Sequence, residues 1–181
     1  MNAMPSLVRR LALGALLPAL CFAAMPAIPQ TAAQRYTVEI IVFRNSGNAG
    51  ALTGDAAVST SGDVAATPAE STRLGGAASR LRSAGGYRVL GHAAWSQAAA
   101  GFNSRRGVSA AQLGLGAGVA GKIILERGQY LHFGVDLTID DGGQRYRINE
   151  VRRVKPDDIQ YFDHPGVGVI AVVTAGDTTP R

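Results

Sequence analysis

The chain has 181 residues, with 23 glycines, one cysteine, 17% charged residues and a formal charge of +5. That is one domain's length, and the low charge density excludes a polyelectrolyte-type disordered chain. Removing Arg9 and Arg10, which lie in a leader-like segment, leaves 16 basic against 13 acidic groups; residues 122–181 carry 8 basic and 9 acidic groups. Such a balance argues against nucleic acid as a partner, which would require positive charge concentrated on the folded part.

Residues 1–10 carry two arginines and no acid, and residues 11–24 form an apolar run of 14. This run is shorter than the roughly 20 residues needed to cross a bilayer. Thr31 and Ala33 are small residues spaced for cleavage before Gln34. Residues 1–33 therefore read as a secretory signal peptide, which would route the chain to export and leave no membrane span after cleavage. Cys21 would depart with the leader, so the mature chain would have no disulfide, thiol catalysis or Cys-based metal site. A single domain is expected over 34–174, with a tail at 175–181.

Residues 36–43, YTVEIIVF, are rich in β-branched and aromatic side chains and predict a strand. Residues 45–66 lack periodicity and anchors and predict a flexible insertion. Thr67 and Glu70 have capping-box spacing around Pro68, and Leu74, Ala77, Ala78 and Leu81 recur at helical spacing. They predict a helix over 68–83. Residues 87–95 predict a second strand, and the Gly/Ala-rich 98–120 a second flexible insertion.

Lys122–Glu126 predicts a strand that turns at Arg127-Gly128-Gln129. In the return strand, Leu131, Phe133, Val135, Leu137 and Ile139 alternate with Tyr130, His132, Gly134, Asp136 and Thr138. That period of two marks a half-buried antiparallel strand. Asp140-Asp141-Gly142-Gly143 predicts a hairpin turn into Tyr146–Val154. Residues 156–162 read as one helical turn starting at Pro156, and Val167–Val173 as a last strand. The expected fold is α+β: a mainly antiparallel sheet of about six strands with one principal helix.

Gly114, Gly116 and Gly118 precede Gly121-Lys122, but Ile123 follows where a phosphate loop needs Ser or Thr. His92, His132 and His164 are the chain's three histidines and show no metal-ligand spacing. No metal and no cofactor is expected. Asp163 and His164 could belong to a hydrolase, yet no serine has a nucleophile-elbow context, so no catalytic residue is assigned. The densest polar segment is 145–165, with five basic groups and one acid between Arg145 and Lys155. Arg152 and Arg153 could pair internally with Glu150, Asp157, Asp158 or Asp163, holding a turn. Alternatively, their planar forks could read the carboxylates of a ligand. Tyr161 and Phe162 would then be ring platforms for sugar or peptide, beside Asp163 and His164, with Tyr130 and His132 as further candidates.

At these residues the chain resembles the CsiV-type peptidoglycan-binding proteins. The motifs are Tyr36-x-Val38-Glu39-Ile40-Ile41-Val42-Phe43 and Tyr87-Arg88-Val89-Leu90-x-His92-x-x-Trp95-x-Gln97. They continue with Tyr130-Leu131-His132, Glu150-x-Arg152-Arg153 and Tyr161-Phe162-Asp163-His164-Pro165-x-x-Gly168. The segments 45–66 and 98–120 depart from the pattern, as does Gly166-Val167, where a bulkier pair would be expected. The resemblance implies a non-catalytic periplasmic protein of Gram-negative bacteria that binds peptidoglycan and supports wall synthesis and cell shape. A wall synthase or its activator is the alternative partner.

Overall fold

The computed structural model describes residues 34–45, 62–70 and 73–176. The expected signal peptide, most of the first insertion and the end of the tail lie outside these residues. Ten strands and one helix follow in the order β1 (Arg35–Asn45), β2 (Thr67–Pro68), α1 (Gly75–Ser83), β3 (Tyr87–Ala98), β4 (Ala100–Gly101), β5 (Gly107–Ser109), β6 (Val119–Arg127), β7 (Leu131–Asp141), β8 (Gln144–Val154), β9 (Ile159–His164) and β10 (Val167–Ala175).

The mainly antiparallel α+β expectation holds, but the described residues contain ten strands rather than about six, divided into two sheets. One sheet runs β2-β3-β1-β10-β9 and the other β4-β6-β7-β8, with β5 also paired to β6. The central apolar strand is β1, flanked on both sides by antiparallel partners. Its alternation explains the architecture. Tyr36, Val38, Ile40 and Val42 face the second sheet and join Phe133, Val135, Leu137 and Ile139 in one buried core. Ile41 and Phe43 face the other way, where they cluster with Val172 of the neighbouring β10 under Leu74, the residue that caps α1, and Ala78 of α1. Sheet one is thus sandwiched between helix and sheet, so both faces of β1 are apolar.

The meander β6–β7–β8 pairs antiparallel, with Val135 opposite both Ile123 and Glu150, and its first turn is residues 128–130 rather than 127–129, since Arg127 pairs with Leu131. Gly142 and Gly143, at φ 60° and 79°, form the two-residue loop between β7 and β8. Both positions need positive φ, and glycine reaches it without the Cβ penalty.

Three local expectations are corrected. Thr67-Pro68 pairs as a strand with Ser96 and Trp95, and the Ala69 N–H donates to Ala94 O at 3.1 Å. The helix therefore starts only at Gly75, with no side-chain cap. The helical turn expected over 156–162 is a turn leading into β9. Asp157 sits at φ 70°, and its N–H donates to Val173 O at 2.7 Å, a geometry a right-handed helix cannot contain. Finally, 98–120 holds β4, β5 and the start of β6 rather than an insertion of loop.

Candidate functional site

Arg152 and Arg153 adjoin on β8 and so point to opposite faces of their sheet. Arg152 turns toward the neighbouring sheet edge. Its guanidinium lies 4.2 Å from the Phe162 ring centroid, pairs with Glu150 and donates to Tyr161 O at 3.1 Å. Phe162 is fully buried and packs on Phe133 with ring centroids 5.6 Å apart. It belongs to the core and is not the ring platform expected of it. Arg152, held by Glu150, closes the sandwich edge between β8 and β9, as the internal-pairing alternative had it.

Arg153 faces outward. Its guanidinium lies 3.3 Å from the Tyr130 ring centroid, and among the described residues it has no carboxylate partner. His132 is directly opposite Arg153 on β7. His132 Nδ1 is 3.1 Å from Tyr130 O, and since a carbonyl only accepts, this nitrogen carries the proton. In the neutral ring, Nε2 is left as an acceptor. On its other side, His132 meets the ring of Phe102 at 4.7 Å. Phe102 and Tyr130 are 59% and 41% exposed. Two open rings, an imidazole and a guanidinium therefore line one outer strip of sheet two.

The strip is fastened by a buried carboxylate. Glu126 on β6 is 2% exposed and accepts the Asn103 N–H at 2.9 Å, the Arg105 N–H, and the Ser104 hydroxyl at 3.3 Å. These bonds offset its desolvation. They also hold Asn103 and Arg105 at positive φ, a conformation ordinarily disfavoured for side-chain-bearing residues. The tight loop sets Phe102 against Gly128, where a Cβ would lie 3.1 Å from Phe102 Cβ. Sequence reasoning missed Phe102 because it stands in a segment read as loop. A lone exposed aromatic in such a stretch was the available signal.

Tyr161 and Asp163 lie on the helix-bearing face of sheet one. The Tyr161 hydroxyl donates to Asp163 Oδ1 at 2.8 Å, and its ring is nearly parallel to Phe43 at 6.3 Å. Phe43 in turn meets Tyr87 edge-on at 5.8 Å. Gly168 makes room for this row, since a Cβ there would be 2.6 Å from the Phe43 ring. Burial, followed by the hydrogen bond and charge of Asp163, pushes the Tyr161 phenol up to about 12.

His164 alternates to the inner face, edge-on to Tyr146 at 6.2 Å, with its buried Nδ1 unpartnered. Asp163 and His164 therefore point apart and form no dyad. Gly166 explains the small residue at the turn: a Cβ would be 2.1 Å from the Tyr146 ring. Asp136, two residues from His132, pairs instead with Arg147 at 2.6 Å.

The eight sequence candidates thus separate. Tyr130, His132 and Arg153 meet on one strip; Tyr161 and Asp163 meet on the opposite sheet; Phe162 is buried between the sheets, His164 turns to the inner face, and Arg152 closes the sandwich edge. Among the described residues no helix is long and apolar enough to cross a membrane.

A family model described as "Peptidoglycan-binding protein, CsiV" matches residues 48–175, well over half of the chain. The matched span includes every candidate above and leaves out the opening strand, which precedes it. No curated protein and no solved structure matches the chain.

Proposed function

The chain belongs to the CsiV family of peptidoglycan-binding proteins, and from that premise we propose an exported, non-catalytic wall-binding module. Its contact surface is the strip of Phe102, His132, Tyr130 and Arg153. One observation carries this assignment: Arg153 is held over the Tyr130 ring with no carboxylate of the described residues beside it. A guanidinium pre-positioned on an aromatic face can take a ligand carboxylate in a two-point bond. The exposed rings of Tyr130 and Phe102 suit the apolar faces of sugars. Peptidoglycan offers both groups.

In this reading residues 1–33 are a leader removed on export, and the protein acts in the periplasm of a Gram-negative cell. There it supports wall synthesis and cell shape by occupying peptidoglycan, and a wall synthase or its activator is a further partner. Sedimentation with isolated sacculi tests the reading. The purified protein is expected in the pellet at low salt and increasingly in the supernatant as salt rises. Recovery wholly in the supernatant at low salt would refute it. Periplasmic pull-down of a synthase without sacculus binding would favour the protein partner instead. Release of soluble muropeptides from the sacculi would refute the non-catalytic assignment.

A further inference from the structure

The opposite end of the sandwich holds a cavity of about 220 Å³. It is lined on one side by Arg88, Val89 and Leu90 of β3 and on the other by Val119, Ile139 and the glycine-rich run Gly116-Ala117-Gly118. Asp140 and Asp141 complete the wall. This is the glycine cluster that failed the phosphate-loop pattern, and the structure explains its small residues. A Cβ on Gly118 would be 2.2 Å from Asp140 O, and one on Gly116 would be 2.8 Å from Leu90 O. The loop must be bare to close against both sheets.

The charges are uneven. Asp141 holds two guanidiniums, Arg44 at 2.7 Å and Arg88 on its other oxygen. Asp140 is already matched by Arg145 at 2.8 Å. One cationic charge therefore exceeds what Asp141 can balance. Arg88 is the most exposed member of this trio, its side chain 58% open to solvent against 26% for Arg44 and 12% for Asp141. At the rim, the N–H groups of Ala117 and Gly118 donate to no group among the described residues, while their neighbours Gly116 and Val119 are bonded to Leu90 O and Gly116 O. Ala117 and Gly118 line the same cavity as Arg88 and are the central residues of the turn closed by the Val119 N–H on Gly116 O, and consecutive turn amides are a backbone arrangement that suits an anion. The remaining lining from Val89, Leu90, Val119 and Ile139 is apolar, and the volume admits one or two small residues but no sugar pair.

We propose that this cavity takes the free carboxylate end of a peptide of small residues. Arg88 and the Ala117–Gly118 amides hold the carboxylate, and the apolar wall holds a methyl side chain. The identification of that peptide as a wall stem ending in D-alanine rests on the wall-binding reading above. The protein would then grip peptidoglycan at two separate places, rings and Arg153 at one end and a stem terminus at the other.

Calorimetric titration with a synthetic stem pentapeptide ending in D-alanyl-D-alanine tests this, alongside the same peptide closed as a C-terminal amide. The acid should bind, and the amide should bind at least about tenfold more weakly, the usual scale for losing a charge-assisted contact. Arg88→Gln and Ala117→Asp should each lose the acid's binding at unchanged melting temperature, whereas Arg153→Ala should keep it. Equal binding of acid and amide would overturn the proposal. So would full binding by both cavity variants, or no binding of the acid by a protein that still pellets with sacculi; that last result leaves the wall-binding reading intact. If instead the acid binds while the protein fails to pellet, the cavity stands and the strip is refuted.

Discussion

Two neighbouring patches of β8 show how strand geometry separates an arginine used by the fold from one left open on its surface. Arg152 and Arg153 have the same chemistry and adjacent positions. Arg152 is turned to the sandwich edge, where Glu150, Tyr161 O and the buried Phe162 absorb its charge and its face. Arg153 is turned to solvent, stacked on Tyr130 and left without a carboxylate among the described residues. Arg152, with its charge and its face both taken up inside the fold, has little left for a ligand, while Arg153, pre-positioned on Tyr130, has its charge open. Period two decides which arginine is which.

The sharpest way to break the comparison is at the edge's foundation. Phe162→Ala removes a fully buried ring from between the sheets and should cost about 3–5 kcal/mol. Urea denaturation measures this, and the surviving folded fraction should still pellet with sacculi. Gly166→Ala forces a methyl into the Tyr146 ring and should cost about 1–3 kcal/mol by overpacking. It too should leave binding by folded protein intact.

The arginine pair gives a smaller but more pointed contrast. Arg152→Ala should lower stability by about 1 kcal/mol, since its ion pair is partly exposed and most of the loss is ring contact. Its sacculus binding should be unchanged. Arg153→Ala should shift stability by less than about 0.5 kcal/mol and weaken sacculus binding about tenfold. An exchange of these two phenotypes would reverse the assignment of edge and strip.

The smallest effect is a titration on the face away from the strip. Absorbance of the Tyr161 phenolate should rise near pH 12 rather than 10.0. The folded state favours the neutral phenol, so its contribution to stability is full below pH 10.0 and is lost as pH rises through about 12. Asp163→Asn should bring the transition down without restoring 10.0, because burial, the larger cause, remains.

Much of the candidate site was legible one residue at a time. The basic and aromatic run at 145–165 marked Arg153, and the alternation of β7 put His132 on its outer face. Phe102 was not legible, because its place depends on Glu126, more than twenty residues away, gathering the N–H groups of Asn103 and Arg105. Phe162 was misjudged for a related reason. An aromatic in a polar run looks available until a second sheet is seen to cover it. The cap-like Thr67-x-x-Glu70 failed because β3 offered Thr67 and Pro68 an extended partner.

The amino-acid sequence alone determined what depends on near neighbours: the apolar β1, the alternating β7, the Gly142-Gly143 hairpin and the α+β class. These follow from backbone sterics and side-chain period, which act over a few residues. Only the tertiary structure decided that the strands form two sheets, that Phe162 is core, and that the glycine-rich run lines a cavity beside Arg88. Those outcomes depend on which surfaces meet across the sandwich, where burial and charge pairing are settled by residues far apart in the chain.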